Sequence, residues 1–327
     1  MNPSELFLFE SDILNPYKNL AVEQYLLEHL PPDSCTLYLW QNENTVVIGR
    51  NQNAWKECRT SLLEEEGGFL ARRLSGGGAV FHDIGNLNFT FLMPTKMYST
   101  ERQSSVIVNA LLPFGIHAEL SGRNDILVCG KKCSGNAYYH HNGRSYHHGT
   151  ILISADMEKL QRYLTPSSAK LQAKSVQSVS SRVLNLCEIS TGITIDSLKD
   201  TMRESFIQEY GQNADKIPSS FFHTEQMEKL ISKYESKEWN YGIHRPFDFH
   251  FSESFSWGEI TLEMTVIQGL IREITVYTDS MDWKLSTEIQ CRLNGIPFSA
   301  GCIRNALEDY SVHIATDIYK LLKQQGI

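Results

Sequence analysis

Apolar residues recur at helical spacing in NPYKNLAVEQYLLEHL, where Ala21, Val22, Tyr25, Leu26 and Leu30 fall on one stripe. Asn15 followed by Pro16 supplies a capping side chain and a first-turn residue, so an amphipathic helix is predicted to start there. TLYLW and TVVIG are two short β-branched and aromatic runs separated by the polar QNEN, a pattern that predicts a hairpin. After a run of three glycines, AVFHDIGNLNFTFLM alternates, with Leu87, Phe89, Phe91 and Met93 on one face and Asn88, Thr90 and Leu92 on the other. A second hairpin, turning near Ile84-Gly85-Asn86, is the expectation.

Further along, Thr100 and Gln103 have the spacing of a capping box, which predicts a helix ending near Gly115. DILVCG and YHHGTILIS read as strands and DMEKLQRYL as a short helix, while residues 167–181 form a polar stretch with the composition of a lid. Helices follow at TIDSLKDTMRESFIQEYG, with Gly211 as its stop, and at TEQMEKLISKY. Near EWNYGIHRPFD the pattern returns to strands: FDFHF alternates, and GEITLEMTVIQGLIREITVYTD reads as two strands joined at Gln268-Gly269. Two helical segments, residues 286–294 and 303–323, close the chain. Strands and helices mix without a βαβ rhythm, so the class is α+β. A chain of 327 residues suits one large domain followed by a small one, divided here into 1–243 and 244–327, with Gly242 and Pro246 where a hinge would bend.

Composition narrows the function classes. Hydrophobic residues make up 41% and charged residues 21%, the balance of a chain that folds throughout. A net charge of −8 with no Lys/Arg block argues against a protein that grips nucleic acid by its phosphates. MNPSELFLFESDIL lacks the basic flank and long apolar run of a signal peptide, and no apolar stretch is long enough to span a bilayer, so cytoplasm is the expected location. The cysteines at 35, 58, 129, 133, 187, 291 and 302 are odd in number and scattered, which predicts reduced thiols and no zinc site.

Arg73-Leu74-Ser75-Gly76-Gly77-Gly78-Ala79-Val80 places three glycines before a strand, where backbone N–H groups can approach a ligand with no Cβ in the way. A bare triple glycine also suits an ordinary loop; the adjacent Arg73 and the tight turn that follows favour the ligand loop. Neither GxxxxGK[ST] nor a helix-opening GxGxxG is present, so a nucleotide held here is held in another way. Ser75, His82 and Asp83 do not make a hydrolase triad, because neighbours on a strand face opposite ways and Ser75 is not on a nucleophile elbow. Asn124, Asp125, Lys132 and His147-His148-Gly149-Thr150 fall in successive strand-like segments, which would bring them together opposite the glycines. Asp125, one carboxylate, suits magnesium, which keeps most of its water and takes substrate phosphates, although a solvated turn aspartate reads the same way. Lys132 is placed to neutralise a phosphate, or is a surface lysine. The pairs His140-His141 and His147-His148 do not match HExxH.

RRLSGGGAVFHDIGNLNFTF, NDILV followed by GKKCSGNA, and YHHGTILIS closely resemble the lipoate-protein ligases. NLAVEQYLLEH, LYLWQNENTVVIGRNQNAWKEC, KSVQSVSSRVLNL and EWNYG extend the likeness over nearly the whole chain. The resemblance implies a catalytic domain similar to biotin ligases and class II aminoacyl-tRNA synthetases, followed by a small accessory domain. It implies that Arg73, Ser75, Gly76, Gly77 and Gly78 line a lipoate pocket with Val80 and Asn86 nearby, and that His148, Gly149 and Thr150 line the same pocket. Lys132 would contact both the lipoyl carbonyl and the adenylate phosphate, and Asp125 would hold magnesium. A loop over roughly residues 169–185, including Lys174, Ser181, Arg182 and Val183, would fold over the adenylate.

The implied reaction has two steps. Lipoate attacks the α-phosphate of ATP and releases pyrophosphate; the acceptor lysine then attacks the mixed anhydride to give an amide. The acceptors implied are lipoyl-domain proteins, the E2 subunits of 2-oxoacid dehydrogenases and the glycine-cleavage H protein, with lipoate as substrate, octanoate as a second acid, and a monomeric enzyme. Three rivals accompany this reading: an acyltransferase that uses Cys133 as a thioester, a relay transferase that accepts only preformed lipoyl adenylate, and a non-catalytic binder of lipoate or of a lipoyl domain.

Overall fold

The structure, a computed structural model, describes residues 3–122, 124–165, 183–211, 213–222, 224–242 and 247–327. Its strands are β1 (Glu5–Glu10), β2 (Ser34–Trp40), β3 (Thr45–Ile48), β4 (Phe69–Arg72), β5 (Val80–His82), β6 (Asn86–Pro94), β7 (Ala118–Ser121), β8 (Asp125–Val128), β9 (Lys131–His141), β10 (Arg144–Leu152), β11 (Ala214–Lys216), β12 (Phe249–Phe255), β13 (Gly258–Ile267) and β14 (Leu270–Thr278). The helices are α1 (Pro16–His29), α2 (Ala54–Glu57), α3 (Thr60–Glu65), α4 (Thr100–Leu111), α5 (Met157–Tyr163), α6 (Ile195–Tyr210), α7 (Glu225–Glu235), α8 (Lys237–Tyr241), α9 (Leu285–Leu293), α10 (Ala300–Glu308) and α11 (Val312–Gln324).

Eight strands form the central sheet in the order β11-β1-β2-β6-β10-β9-β8-β7, parallel only between β1 and its two neighbours. Both faces are covered, which is why all nine residues of β6 are buried. The odd-numbered side chains Leu87, Phe89, Phe91 and Met93 join a core with α4 and α6, as their alternation predicted. On the opposite face Leu92 packs with α1 and α7. Register there lines side chains up in rows: Trp40, Asn88, Thr150 and Gly135 in one, and Tyr38, Thr90, His148 and Ala137 in the next. Those two rows are the floor of the site described below.

Both predicted hairpins are corrected. β2 belongs to the central sheet, whereas β3 pairs with β4 and β5 in a separate three-stranded sheet. The QNEN linker is not a free turn: Asn42 Oδ1 accepts from Asn19 Nδ2 on α1 at 3.0 Å, and Glu43 N–H donates to Leu14 O at 3.1 Å, which carries the chain out of the plane of β2. The Ile84-Gly85-Asn86 turn likewise connects sheets, leading from β5 in the small one to β6 in the large one. Gly85 O there accepts from Ile153 and Ser154 N–H at 3.0 and 2.9 Å.

α1 begins as predicted, with Asn15 accepting from the Tyr17 and Lys18 N–H groups. The cap of α4 is Ser99, one residue before the predicted box, and Gly115 ends a following 3-10 turn in the left-handed region. In the C-terminal unit β12, β13 and β14 form a meander backed by α9, α10 and α11, with Gln268 and Gly269 at φ +53° and +73° making the tight β13–β14 turn. The predicted 303–323 helix is two, because the chain breaks at Asp309-Tyr310 and Ser311 caps α11 by accepting from Ile314 N–H. Residues 167–181 and Pro246 lie outside the described residues.

Candidate active site

A cavity of about 450 Å³ lies between the floor of the large sheet, the glycine loop and the C-terminal unit. Asp125, Lys132, Gly135 and Thr150 line it from β8, β9 and β10, while Leu20, Trp40, Val47 and Val80 line it from the side of β2 and the small sheet. β9 and β2 stand three strands apart in the sheet order, roughly 14 Å at about 4.8 Å per strand. The cavity is therefore a slot with a charged end and an apolar end. Leu20, Val47 and Trp40 share one buried cluster, so the apolar end is continuous with the core under α1.

At the charged end, the β8–β9 pairing slips between Ile126 and Leu127 and brings Lys132 back toward Asp125. Lys132 Nζ lies 2.7 Å from Asp125 Oδ1, with both side chains about one-third exposed. An ion pair this open is held weakly and yields readily to an incoming phosphate. Lys132 also meets the chain beyond residue 182: its carbonyl accepts from Leu184 N–H at 2.8 Å and it bridges to Val183. Of the predicted adenylate loop, Val183 is thus beside Lys132, while Lys174, Ser181 and Arg182 lie outside the described residues.

Cys133 points the other way. It is buried in the opposite core among Ile126, Val128 and Phe89, its Sγ 3.5 Å from Ile126 O, and burial pushes its thiol up to about 12. A thiol in that setting is neither ionised nor within the cavity, so the cysteine-thioester reading fails on geometry.

The glycine loop is clamped by Arg73. Its Nη2 donates to Gly76 O at 2.8 Å and Gly78 O at 2.7 Å, Nη1 donates to Val47 O at 3.2 Å, and Nε donates to Ser75 Oγ at 3.0 Å. Burial lowers its pKa to about 10, which leaves it a cation at neutral pH. Gly77 sits at φ +88°, a conformation costly for any residue with a Cβ. The loop's back rests against Gly49, where a Cβ would meet Gly77 O at 2.1 Å. Gly77 N–H donates to Ser280 O of the C-terminal unit at 3.1 Å, so the accessory unit is docked on the loop.

Ser75 is wholly buried and joins a chain of hydrogen bonds. Its hydroxyl lies 2.8 Å from His148 Nε2, His148 Nδ1 lies 2.8 Å from Glu23 Oε1, and Glu23 Oε1 accepts from Thr90 Oγ1 at 2.7 Å. Trp40 Nε1 then donates to Thr90 Oγ1 at 3.1 Å. The series Ser-His-Glu imitates a hydrolase triad, but Ser75 Oγ is also taken by Arg73 and has no opening to solvent; it fixes the loop. Sequence reasoning missed Glu23. The available signal was an acidic residue at a position of α1 whose neighbours Leu20, Leu26 and Leu27 are core.

Val80, Gly78, Gly149 and Thr150 line the cavity, whereas Asn86 is not among its lining residues and is buried next to Asn88, donating from Nδ2 to Asn88 Oδ1 at 2.8 Å. Arg72, also missed, is buried with its guanidinium donating to the carbonyls of Gly49, Arg50, Gln52, Trp239 and Asn240, which fastens α8 and the domain junction to the small sheet. Among the described residues no helix is long and apolar enough to cross a membrane.

Residues 15–207 match the lipoyl protein ligase A/B catalytic domain, and residues 244–322 match the bacterial lipoate protein ligase C-terminus. A lipoate-protein ligase A of Psychrobacter cryohalolentis is 43% identical over 86% of this chain and 85% of its own length. Among solved structures, P. falciparum LipL1 in complex with lipoate superimposes with a TM-score of 0.85 at 29% identity, covering 96% of this chain and 99% of its own. A bi-partite lipoate protein ligase from Thermoplasma acidophilum, studied with its E2 lipoyl domain, gives 0.62 at 26% identity over 76% of this chain and 100% of its own. A lipoate-protein ligase A bound with ATP gives 0.61 at 26% identity over 75% of this chain and 100% of its own.

Proposed function

The chain belongs to the lipoate-protein ligase family, and from that premise we propose how its slot performs ATP-dependent lipoate ligation. The observation that carries the assignment of roles is the polarity of the slot: the Lys132–Asp125 pair at one end and Trp40, Leu20 and Val47 at the other. Lipoate is an apolar chain ending in a carboxylate, so it enters with its ring toward Trp40 and its carboxylate toward Lys132. ATP then brings its α-phosphate to the same ammonium group.

Adenylation joins two anions, and the carboxylate oxygen attacks phosphorus while the bond to pyrophosphate breaks. Lys132 balances charge on both partners at once, and the Gly loop is held in shape by Arg73 and the Ser75–His148–Glu23 chain. Aligning the two reactants supplies a further term, worth roughly 7 to 11 kcal/mol in favourable cases. In the second step the acceptor amine attacks the acyl carbon, the bond to AMP breaks and the amine loses a proton. No enzyme nucleophile takes part.

A single, partly exposed carboxylate at the phosphate end is a donor set that fits magnesium, which binds through one or two carboxylates, water and substrate phosphates. Asp125 would hold it there, and the ion would supply charge neutralisation on the phosphates. The loop reaching Val183 would close over the adenylate, with Lys174, Ser181 and Arg182 on it. Acceptors are lipoyl domains, a reading supported by the relative studied with its E2 lipoyl domain; octanoate is a second acid, and the active form is a monomer with the catalytic unit ending at residue 243.

Incubating the purified chain with lipoate, magnesium-ATP and a lipoyl domain tests this, with pyrophosphate release and acceptor mass read in parallel. Wild type and Cys133→Ser are expected to release pyrophosphate and add a lipoyl amide, and Lys132→Ala to lose at least a hundredfold in both. Modification from synthetic lipoyl adenylate but not from ATP would replace the ligase by a relay transferase.

A further inference from the structure

The apolar end of the slot is not wholly apolar. His82, at the end of β5, and Asn88, in the middle of β6, both line the cavity beside Trp40, and both are buried. His82 Nε2 and Asn88 Nδ2 have no hydrogen-bond partner among the described residues, and both atoms are buried. Buried N–H groups are nearly always paired, so two unpaired ones on one wall call for a reason.

The proton on His82 is located by its neighbours. Asn19 Nδ2 lies 2.8 Å from each of the Ile13 and Gln41 carbonyl oxygens, which can only accept, and this fixes the orientation of that amide. Asn19 Nδ2 therefore donates to Asn42 Oδ1 at 3.0 Å, and Asn42 Nδ2 donates to His82 Nδ1 at 3.1 Å. With Nδ1 accepting, the neutral ring carries its hydrogen on Nε2, within the wall that His82 gives the slot. Burial keeps the ring neutral, lowering its pKa to about 3. Asn88 Oδ1 lies 2.8 Å from Asn86 Nδ2, which leaves the Asn88 amide hydrogens, like the neighbouring Asn86 Oδ1, without a partner among the described residues.

Position decides which part of a ligand they meet. Asn88 shares a row with Gly135, two strands from β9 and one from Trp40, or roughly 10 Å from the strand of Lys132 at about 4.8 Å per strand. With the carboxylate at Lys132, an extended acyl chain of lipoate's length ends over Asn88 and His82. Lipoate carries there two sulfur atoms with acceptor lone pairs; a saturated acid of the same length carries only C–H.

We propose that His82 and Asn88 are specificity-determining residues whose N–H groups recognise the dithiolane sulfurs, so that the slot prefers lipoate to octanoate. The proposal rests on the ligase reading and deepens it. A sulfur is a weak acceptor, but an acid that offers none leaves both donors buried and unmatched, and a site built to donate rejects such an analogue more strongly than shape alone does.

The test measures kcat/KM for R-lipoate and for octanoate with magnesium-ATP and a lipoyl domain, in wild type, His82→Phe and Asn88→Leu. Wild type is expected to favour lipoate, and each variant to lower the lipoate-to-octanoate ratio by about tenfold, through lipoate KM with kcat little changed. Unchanged ratios in two variants that melt like wild type overturn the proposal, whereas a wild type inactive with both acids overturns the ligase reading instead. Should a variant fail to fold, wild-type chain labelled with 15N-histidine keeps the question open to decision. Lipoate is expected to shift the His82 Nε2 resonance and octanoate to leave it in place; equal shifts, or none with lipoate, reject the proposal.

Discussion

Glu23 is 2% exposed on a helix that is otherwise packed into the core, and its carboxylate is held by Thr90 Oγ1 and His148 Nδ1. Removing the charge while keeping the shape, as Glu23→Gln does, loosens His148 and through it Ser75 and the glycine loop. We expect kcat/KM for lipoate to fall tenfold to a hundredfold and stability to drop by about 2 kcal/mol, the worth of a buried hydrogen bond to a charged group, read from steady-state kinetics and urea melts. Lys132, Asp125 and His148 were legible because they sit within one β-meander and the sequence places them close together. Glu23 was not, since its partner lies 125 residues away and no local pattern records it. Two other histidines set a pH dependence. His82 and His147 are wholly enclosed, and burial lowers both to about 3. A depressed histidine means the unfolded chain binds more protons between its own pKa near 6.5 and the folded value, so stability is complete above about pH 6.5 and is lost as pH falls toward 3. Each ring contributes a slope of roughly 1.4 kcal/mol per pH unit inside that window. Calorimetric melts from pH 7 down to pH 5 should show a falling Tm, with a shallower fall in His82→Phe; a Tm flat over that range would contradict neutral burial.

The elements read best from sequence are those whose signals are local. Asn15 and Pro16 start α1, Gly211 stops α6, and Gln268-Gly269 turns β13 into β14, each because one residue's side chain or backbone preference decides the matter. Asn15→Ala accordingly should cost about 1 kcal/mol in a denaturant melt and slightly raise KM for lipoate, since α1 carries Leu20 and Glu23 to the slot. What sequence pattern could not decide is which sheet a strand joins. β2 and β3 look like a hairpin from their composition, and so do β5 and β6, but the partners that separate them lie on α1 and after β10, through Asn19 and Ser154. The split of the last helical segment has a similar origin, with Tyr310 tied to Asp282 from another part of the C-terminal unit. Where two elements meet without a local signal, a single atom can matter: a Cβ at Gly49 would lie 2.1 Å from Gly77 O, inside any real contact. Gly49→Ala must push the glycine loop off the small sheet, and we expect a loss of about 2 kcal/mol or more together with a tenfold or larger rise in KM for ATP, measured by thermal melts and pyrophosphate release. A variant indistinguishable from wild type would show that the loop accommodates the methyl group by moving without consequence for binding.

At the scale of the molecule the two units meet through the catalytic machinery itself. Arg50 is held between the rings of Trp239 and Trp283, each 5.4 Å from its guanidinium carbon, and Lys56 pairs with Glu259. Asn51 O accepts from Thr278 N–H and Asn51 Nδ2 donates to Trp283 O, at 2.9 Å each, and the Trp283 ring packs at 4.7 Å, tilted by 42°, against Tyr139 of β9. The contact that bears on the reaction is Gly77 N–H donating to Ser280 O. Under the proposed ligase reading the adenylate phosphate takes a glycine-loop N–H group, so the docked unit and the adenylate would compete for one hydrogen. Gly76 adds to the competition, for a Cβ there would stand 2.3 Å from the same Ser280 oxygen, which shows how closely the loop is covered. An ordinary neutral hydrogen bond is exchanged here for a charge-assisted one to phosphate, about twice as strong, and the balance favours release of the accessory unit once the adenylate has formed. The remaining contacts are polar and aromatic pairs at a rim rather than one continuous core, since the C-terminal cluster has its own buried residues. We therefore expect small-angle scattering profiles of the chain alone and of the chain saturated with a nonhydrolysable lipoyl adenylate analogue to differ in maximum dimension, and Trp283→Ala alone to shift the free chain part of the way toward the bound profile. Superimposable profiles for all three would mean that the two units move as one body, and that Ser280 gives up Gly77 by a local loop shift alone.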